Sequence, residues 1–271
     1  MKLGGSDPLA GPCAVVTGAS SGIGAATARR LARAGIRLFL VARRAERLSS
    51  LTAQIRAAGG TAESLPADLT LESERERVFR IVEQAGGADV LIHCAGLGWY
   101  GYYSEMPWPT ALEMIQVNVA AAVHLTSLFL PRMSHRRRGH IVIVGSIAGG
   151  LPSQGVAIYS ATKAFLDAFT TSLHRELRGT PLHASVIRPG PVATEFFEAA
   201  AARPAGGHIP AERFAIRAER VADAIWNVLR RPRRAVYVPA VLALVPWFEA
   251  TFGWLMDLLG PLHLRARRAR T

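Results

Sequence analysis

The chain has 271 residues, half of them hydrophobic and 19% charged, which supplies a sizeable core and excludes an intrinsically disordered protein. Its net charge of +12, from 32 basic and 20 acidic residues, would suit phosphate ligands, nucleic acid or anionic lipid. The arginines include no recognisable nucleic-acid-binding motif, so we interpret most of them as solubilising charge and expect no nucleic-acid partner.

The first residues and the two cysteines bear on the cellular location. Residues 1–12 are rich in glycine and proline and lack an apolar run, which predicts a flexible segment and no signal peptide. Cys13 and Cys94 stand 81 positions apart inside apolar runs, which predicts buried thiols, no disulfide and no metal site. We therefore expect a cytoplasmic protein, and contact with a membrane surface is left open.

Short apolar runs alternate with helical patterns from residue 13 onward. The strands are predicted at Cys13–Thr17, Arg37–Ala42, Thr61–Pro66, Asp89–His93, His140–Val144 and His183–Arg188. The helices are predicted at Gly22–Ala34, Ala45–Ala58, Leu71–Gln84, about Pro109–Met133 and Ala157–Arg178. This alternation predicts a single Rossmann-type α/β domain over residues 13–240, with a doubly wound parallel sheet and helices on both faces.

A glycine-rich turn follows the first predicted strand. In the sequence TGASSGIG (17–24), three glycines let the backbone turn sharply and approach a pyrophosphate, which the helix N-terminus would face. The strand–turn–helix context predicts a dinucleotide site. The residues expected to bind the cofactor here are Gly18, Ser20, Ser21, Gly22, Ile23 and Gly24.

The end of the second strand bears on the choice of cofactor. A carboxylate at this place would bind the ribose hydroxyls of NAD, but the sequence has Ala42 followed by Arg43 and Arg44. A guanidinium is well shaped to hold a 2′-phosphate. We therefore predict NADP(H), with Arg43 as the main contact and Arg44 as a weaker one.

A tyrosine and a lysine stand four residues apart at the start of the last predicted helix. This spacing places Tyr159 and Lys163 on one helix face. A nearby ammonium favours the phenolate, so Lys163 is predicted to lower the pKa of Tyr159 toward neutrality. Ser146 follows the fifth strand and could hydrogen-bond a substrate oxygen, while Asn118 lies within a predicted helix and could hold a proton-relaying water.

These motifs together resemble the short-chain dehydrogenase/reductase family. The matching motifs, in family order and over about residues 13–240, are TGASSGIG (17–24), Asp68-Leu69, HCAG (93–96), Asn118, Ser146, YSATK (159–163) and RPGPVAT (188–194). The resemblance implies an NADP(H)-dependent oxidoreductase that interconverts a carbonyl and an alcohol, and a homodimer or homotetramer assembled through the helices that bear Asn118 and Tyr159.

The resemblance also implies the roles of individual residues. Tyr159 would be the general acid/base, Lys163 would lower its pKa and bind the nicotinamide ribose, and Ser146 would orient the substrate. Asn118 would complete this catalytic set. The further cofactor contacts implied are Asp68, Leu69, Ala95, Gly96, Tyr159, Lys163, Pro189, Gly190, Val192 and Thr194. The family usually has two asparagines where this chain has His93 and Cys94, and we interpret His93 as a core histidine.

Two other classes of protein remain as alternatives. A non-catalytic NADP-binding sensor or scaffold could use the same fold, although such a relative would be expected to lose the tyrosine or the lysine first. A nucleic-acid-associated protein is suggested only by the charge and by the arginine clusters 230–234 and 265–270, which carry no interleaved aromatic residues.

The substrate loops and the C-terminal extension complete the sequence-based expectations. The aromatic segment 97–103 and the loop 195–213 should line the mouth of the site, which suggests an apolar substrate. Residues 241–271 form an apolar and basic extension that is too short and interrupted to span a membrane. We favour packing of this extension over the substrate mouth or a partner subunit, and contact with a membrane surface is the alternative.

Overall fold

The computed structural model describes residues 11–207 and 214–268, and the side chains of Met256 and of residues 259–268 are not described. Residues 1–10 of the predicted N-terminal segment therefore lie outside the described residues. The strands are β1 Cys13–Thr17, β2 Arg37–Ala42, β3 Ala62–Pro66, β4 Val90–His93, β5 Gly139–Val144, β6 Leu182–Pro189, β7 Val192–Ala193, β8 Ile216–Arg217 and β9 Ala235–Val238. The helices are α1 Gly22–Ala32, α2 Ala45–Ala57, α3 Glu72–Gln84, α4 Trp108–Ile115, α5 Ala121–Arg136, α6 Ala157–Glu176, α7 Phe196–Ala201, α8 Ala218–Arg230 and α9 Val245–Arg268.

Seven parallel strands form one sheet in the order β3-β2-β1-β4-β5-β6-β9. The chain leaves β1 toward β2 and β3 on one side and returns to β4 on the other, so the strand order reverses at β1. At their carboxyl ends Thr17 pairs with Val41 and with His93, which brings the segments that follow β1, β2 and β4 to the same edge. The predicted fold class is confirmed, and the reversal point is where such sheets bind ligands.

Alternating residues of the strands pack into two separate cores. On β1, Ala14 and Val16 join the core beneath α1, α2 and α8, whereas Cys13 and Val15 join the core beneath α3, α5 and α6. Both faces of the sheet are therefore buried, as the near-continuous apolar runs of its strands require.

The sequence-based elements differ from the structure in several places, and helices α7 and α8 and strands β7, β8 and β9 were not predicted. The run Ala235–Val238 continues into the apolar residues of the C-terminal extension, so the sequence does not show where β9 ends. The long helix predicted at about Pro109–Met133 is divided into α4 and α5 by a single π-helical turn, Gln116–Ala120. This turn contains Asn118.

One helical stretch of the described chain, Trp108–Arg136, is long and apolar enough to cross a membrane by length and composition alone. It is the α4–π-turn–α5 unit that packs against the sheet, and the core helix of a soluble protein passes the same test. After β9, the C-terminal extension begins with the 3₁₀ turn Ala240–Leu244 and continues as α9.

Candidate active site

A cleft of about 610 Å³ opens at the carboxyl edge of the sheet. The predicted cofactor residues all line this cleft, and they are Gly18, Ser20, Ser21, Gly22, Ile23, Gly24, Arg43, Arg44, Asp68, Leu69, Ala95, Gly96, Tyr159, Lys163, Pro189, Gly190, Val192 and Thr194. Ser146 lines it too, whereas Asn118 lies behind the wall and is buried. Residues from the six segments that follow β1 to β6, together with helix α6, thus surround a single cavity.

The glycine-rich turn between β1 and α1 leaves no space for side chains. Gly18 has a φ of +66°, and a Cβ added to it would lie 2.7 Å from the backbone nitrogen of Ala95. A Cβ added to Gly24 would collide with the carbonyl oxygen of Gly18. The turn therefore depends on glycine for its shape, and the N-terminus of α1 faces the cleft without an obstructing side chain.

Arg44 lies directly against the glycine-rich turn. Its Nη2 donates to the hydroxyl of Ser21 at 2.6 Å and to that of Ser20 at 3.1 Å. Its Nη1 donates to Glu195 at 2.7 Å across the mouth of the cleft, and Arg47 pairs with the same carboxylate. The guanidinium of Arg44 is thereby fixed at the end of the cleft that the glycine-rich turn forms.

Arg43 leaves β2 in a different direction from its neighbour. Its Nη1 pairs with Glu113 of α4 at 2.9 Å, and the same carboxylate pairs with Arg203 at 2.8 Å. Sequence reasoning missed the acids Glu113 and Glu195, because each reaches its arginines across 70 or more positions of the chain. Nothing in the local sequence around either acid signals these contacts.

Asn118 lies in the π-helical turn, and its side-chain amide connects two parts of the site. Its Oδ1 accepts from the backbone nitrogen of Leu97 at 2.7 Å, and its Nδ2 donates to the Leu97 carbonyl at 3.0 Å and to the Thr162 hydroxyl at 3.1 Å. The amide thus ties the loop after β4 to α6, next to the tyrosine and the lysine. Single π-helical turns of this kind often occur at functional sites.

Lys163 is buried in the wall of the cleft. Its Nζ donates to the carbonyl of Val144 at 2.9 Å and lies 5.7 Å from the centre of the Tyr159 ring. Burial lowers the pKa of Lys163 to about 8, although the negative charge of Asp167 opposes this shift. Ser146 caps the short turn after β5, where its Oγ accepts from the backbone nitrogen of Ala148 at 3.1 Å.

The pKa of Tyr159 moves in the direction opposite to the one predicted from sequence. Burial raises it to about 12, and a hydrogen bond with Ser146 opposes the rise only in part. The reason is geometric, because the Lys163 ammonium is directed at the Val144 carbonyl and not at the phenol. Lys163 therefore does not offset the effect of burial on the pKa of Tyr159 in this structure, and its role as the group that lowers this pKa during the reaction stays a prediction.

Aromatic residues form the mouth of the cleft beside the phenol. The ring of Phe196 lies 5.4 Å from that of Tyr159, centre to centre. The indole of Trp99 is buried, and its Nε1 donates to the carbonyl of Pro204 at 3.1 Å, which joins the loop after β4 to the loop after α7. The surroundings of the phenol are apolar on this side.

Of the two residues that replace the family's asparagines, His93 is buried in the core and Cys94 is partly buried in the wall of the cleft. The His93 ring is buried, and its Nε2 lies 3.1 Å from the hydroxyl of Thr126. Burial lowers the pKa of His93 to about 3 and raises the pKa of the Cys94 thiol to about 12, so both groups are neutral. This agrees with the interpretation of His93 as a core histidine.

The comparison with known families agrees with the fold and the site. Residues 12–205 match the family model described as short chain dehydrogenase, which is more than half of the chain. The chain therefore belongs to the short-chain dehydrogenase/reductase family, and it is an oxidoreductase of that nucleotide-binding type.

Individual relatives show the same likeness. An uncharacterized oxidoreductase of Myxococcus xanthus is 42% identical over 183 residues, which cover 67% of this chain and 72% of the relative. A short-chain dehydrogenase from Sphingobium yanoikuyae, solved with NADPH, superposes with a TM-score of 0.79 at 30% identity and covers 92% of this chain and 95% of its own. A short-chain dehydrogenase/reductase from Burkholderia phymatum, solved with NAD, has the same TM-score at 26% identity and coverages of 88% and 93%.

Proposed function

We propose that this protein is an NADP(H)-dependent oxidoreductase that interconverts a carbonyl and an alcohol on an apolar small molecule. The observation that carries the proposal is the convergence of Tyr159, Ser146 and Lys163 on a cleft whose far end holds Arg43 and Arg44. A non-catalytic NADP-binding sensor or scaffold would not need the phenol, the hydroxyl and the lysine in one place. The full set of side chains favours the enzyme.

The cofactor choice follows from the charge at the end of β2. No carboxylate follows this strand, where one would bind the ribose hydroxyls of NAD, and two guanidinium groups are present in its place. The amides of the glycine-rich turn and the N-terminus of α1 would hold the pyrophosphate. Bound NADP(H) would supply or accept the hydride, and the similarity to a structure that contains NADPH supports this choice.

The protein's own side chains would handle the proton. In the direction of reduction, the phenol of Tyr159 would donate its proton to the carbonyl oxygen, and Ser146 would hold the same oxygen by a hydrogen bond. Lys163 would bind the nicotinamide ribose and stabilise the phenolate that remains. Asn118 keeps the loop after β4 and helix α6 in register with each other, and it would complete a relay that returns a proton to Tyr159.

The proposal extends to the substrate, the assembly and the location. The apolar mouth formed by Phe196 and Trp99 supports a hydrophobic ketone or alcohol as substrate. Exposed apolar side chains on α4 and α6, among them Trp108 and Phe165, support a homodimer or homotetramer through these helices. We infer a cytoplasmic protein that contacts a membrane surface through its C-terminal extension.

The test is a substrate screen with purified protein. NADPH and NADH absorbance are followed with a panel of aliphatic, aromatic and fused-ring ketones, and faster oxidation of NADPH with hydrophobic members is expected. The Tyr159→Phe variant keeps the ring and removes the proton, so turnover should fall at least ~100-fold while cofactor still binds. The matched control is Tyr103→Phe, which changes an exposed tyrosine of the predicted mouth segment that does not line the cleft in the structure, and it should keep full activity. Retained turnover in the Tyr159 variant would contradict its role.

A further inference from the structure

The C-terminal extension has a row of exposed apolar side chains on one side. Trp247 and Trp254 are each 63% exposed and Leu258 is 66% exposed. These residues lie on one face of α9, because positions seven and eleven residues apart coincide on a helix of 3.6 residues per turn. Val241 and Leu244 of the preceding 3₁₀ turn are exposed to a similar degree. We call this set of five residues the docking face.

The acidic residues of the extension are not part of the docking face. Glu249 lies on the opposite side of α9, where its Oε2 is buried and has no hydrogen-bond partner among the described residues. Asp257 is exposed at the edge of the face. The docking face therefore carries no negative charge along its centre. Such a surface is unusual for a helix that is exposed only to water.

The extension is fixed beside the cleft. A Cβ added to Gly190, which lines the cleft, would lie 2.9 Å from Cδ1 of Leu242. A Cβ added to Gly150, in the turn after Ser146, would lie 3.5 Å from Cγ of Pro246. The base of α9 thus packs on the substrate side of the cleft while its docking face remains outside. The packing over the substrate mouth that the sequence favours therefore applies only to the start of the extension, around Leu242 and Pro246.

We propose that the docking face binds the surface of an anionic membrane. Tryptophan combines an apolar body with one polar N–H group and is favoured at the boundary between lipid tails and headgroups. The sequence continues beyond this face with four arginines within six residues, Arg265, Arg267, Arg268 and Arg270, and these would meet anionic headgroups. Glu249 and Asp257 interrupt the apolar part of α9, which disfavours a span of the bilayer, so the helix lies along its surface.

Charge favours lipid over a second copy of the chain as the occupant. A second copy of the chain carries the same net charge of +12, and like charges oppose its association with this face. An anionic surface neutralises the same arginines. On the basis of the proposed function, we further infer that hydrophobic substrates dissolved in lipid lie close to the mouth of the cleft.

The test is flotation of the full-length protein with lipid vesicles. Vesicles of phosphatidylcholine with phosphatidylglycerol are compared with vesicles of phosphatidylcholine alone, without cofactor or substrate. The protein is expected to float with the anionic vesicles and to dissociate as salt is raised. The double variant Trp247→Ser/Trp254→Ser should lower the partition coefficient at least ~10-fold, because two large apolar surfaces are lost. Ketone reduction in solution is assayed separately and tests only the proposed function.

Matched controls separate lipid binding from other effects. The double variant Leu71→Ser/Phe214→Ser removes exposed apolar side chains from other surfaces and should bind vesicles like the unaltered protein. Far-UV circular dichroism and the thermal midpoint verify that each variant is folded. Failure of the unaltered protein to float, or equal flotation of the Trp247/Trp254 variant, would overturn the proposal. A change in molecular mass caused by that variant, without vesicle binding, would assign the face to a second copy instead.

Discussion

Replacing Arg43 by alanine tests whether the end of β2 selects NADP(H). A charge-assisted contact with a phosphate is worth about 1.5–3 kcal/mol, and tenfold in affinity corresponds to about 1.4 kcal/mol. The Arg43 side chain is 51% exposed, so solvent screening favours the lower half of this range. We therefore expect the dissociation constant of NADPH to rise ~10- to 50-fold, and that of NADH to rise less than ~3-fold.

The ion pairs of Arg43 indicate that the substitution acts locally. Its partner Glu113 remains paired with Arg203 at 2.8 Å, so the variant leaves no uncompensated carboxylate at the mouth of the cleft. The Arg44→Ala variant differs, because this side chain also holds the hydroxyls of Ser20 and Ser21. Loss of Arg44 should weaken both cofactors, since the glycine-rich turn becomes less ordered.

The assay is a fluorescence titration of NADPH and of NADH at fixed ionic strength. The control is Arg33→Ala, which removes the same charge from an exposed position at the far end of α1. This control should change neither dissociation constant by more than ~2-fold, because charges beyond a Debye length are screened. Equal weakening of NADPH and NADH by Arg43→Ala, or an initial preference for NADH, would refute the assignment of Arg43.

Three further substitutions give separate tests. Glu195→Gln frees Arg44 for the 2′-phosphate, so NADPH should bind ~2- to 5-fold more tightly with NADH unchanged, and weaker NADPH binding would contradict this. Phe196→Ala opens space beside Tyr159 and should raise kcat/KM for bulky ketones ~10-fold relative to small ones; an unchanged ratio would exclude Phe196 from the substrate pocket. Unfolded His93 binds a proton below about pH 6.5 but the folded ring has a pKa of about 3, so acid destabilises the fold. Between pH 8 and pH 5, this proton uptake lowers the free energy of unfolding by about 2 kcal/mol. The His93→Asn variant should lack this part of the decrease, as measured by urea unfolding at the two pH values. A decrease as large as that of the unaltered protein would disprove the reasoning.

The sequence predicts the sheet well where strand and helix periods are unambiguous. Strands such as Arg37–Ala42 are continuous apolar runs, and the structure has this strand at the same bounds. Strand β9 escapes prediction because its four residues gain their stability from pairing with β6, a contact between segments nearly fifty positions apart. The position of the cleft follows from topology, since parallel strands place the segments after their carboxyl ends together.

Contacts made across the cleft are harder to predict than the residues that line it. The motifs identify Arg43 and Arg44 as candidates, but the local sequence does not show that Glu113 and Glu195 hold them. The π-helical turn at Asn118 is likewise invisible to periodicity, because a single extra residue per turn shifts the apolar pattern too little to register. Such contacts depend on the packed structure and determine where each functional group points.

The protonation of Tyr159 shows how burial can reverse an expectation based on spacing. Spacing alone places a positive charge near the phenol and suggests a lowered pKa. In the structure the Lys163 ammonium donates a hydrogen bond to the Val144 carbonyl. Desolvation then favours the neutral forms of both Tyr159 and Lys163. A buried phenol whose pKa is raised gives up its proton less readily, so proton transfer from Tyr159 requires a further group that stabilises the phenolate. Burial therefore outweighs the spacing of this pair along α6 in setting the pKa of Tyr159.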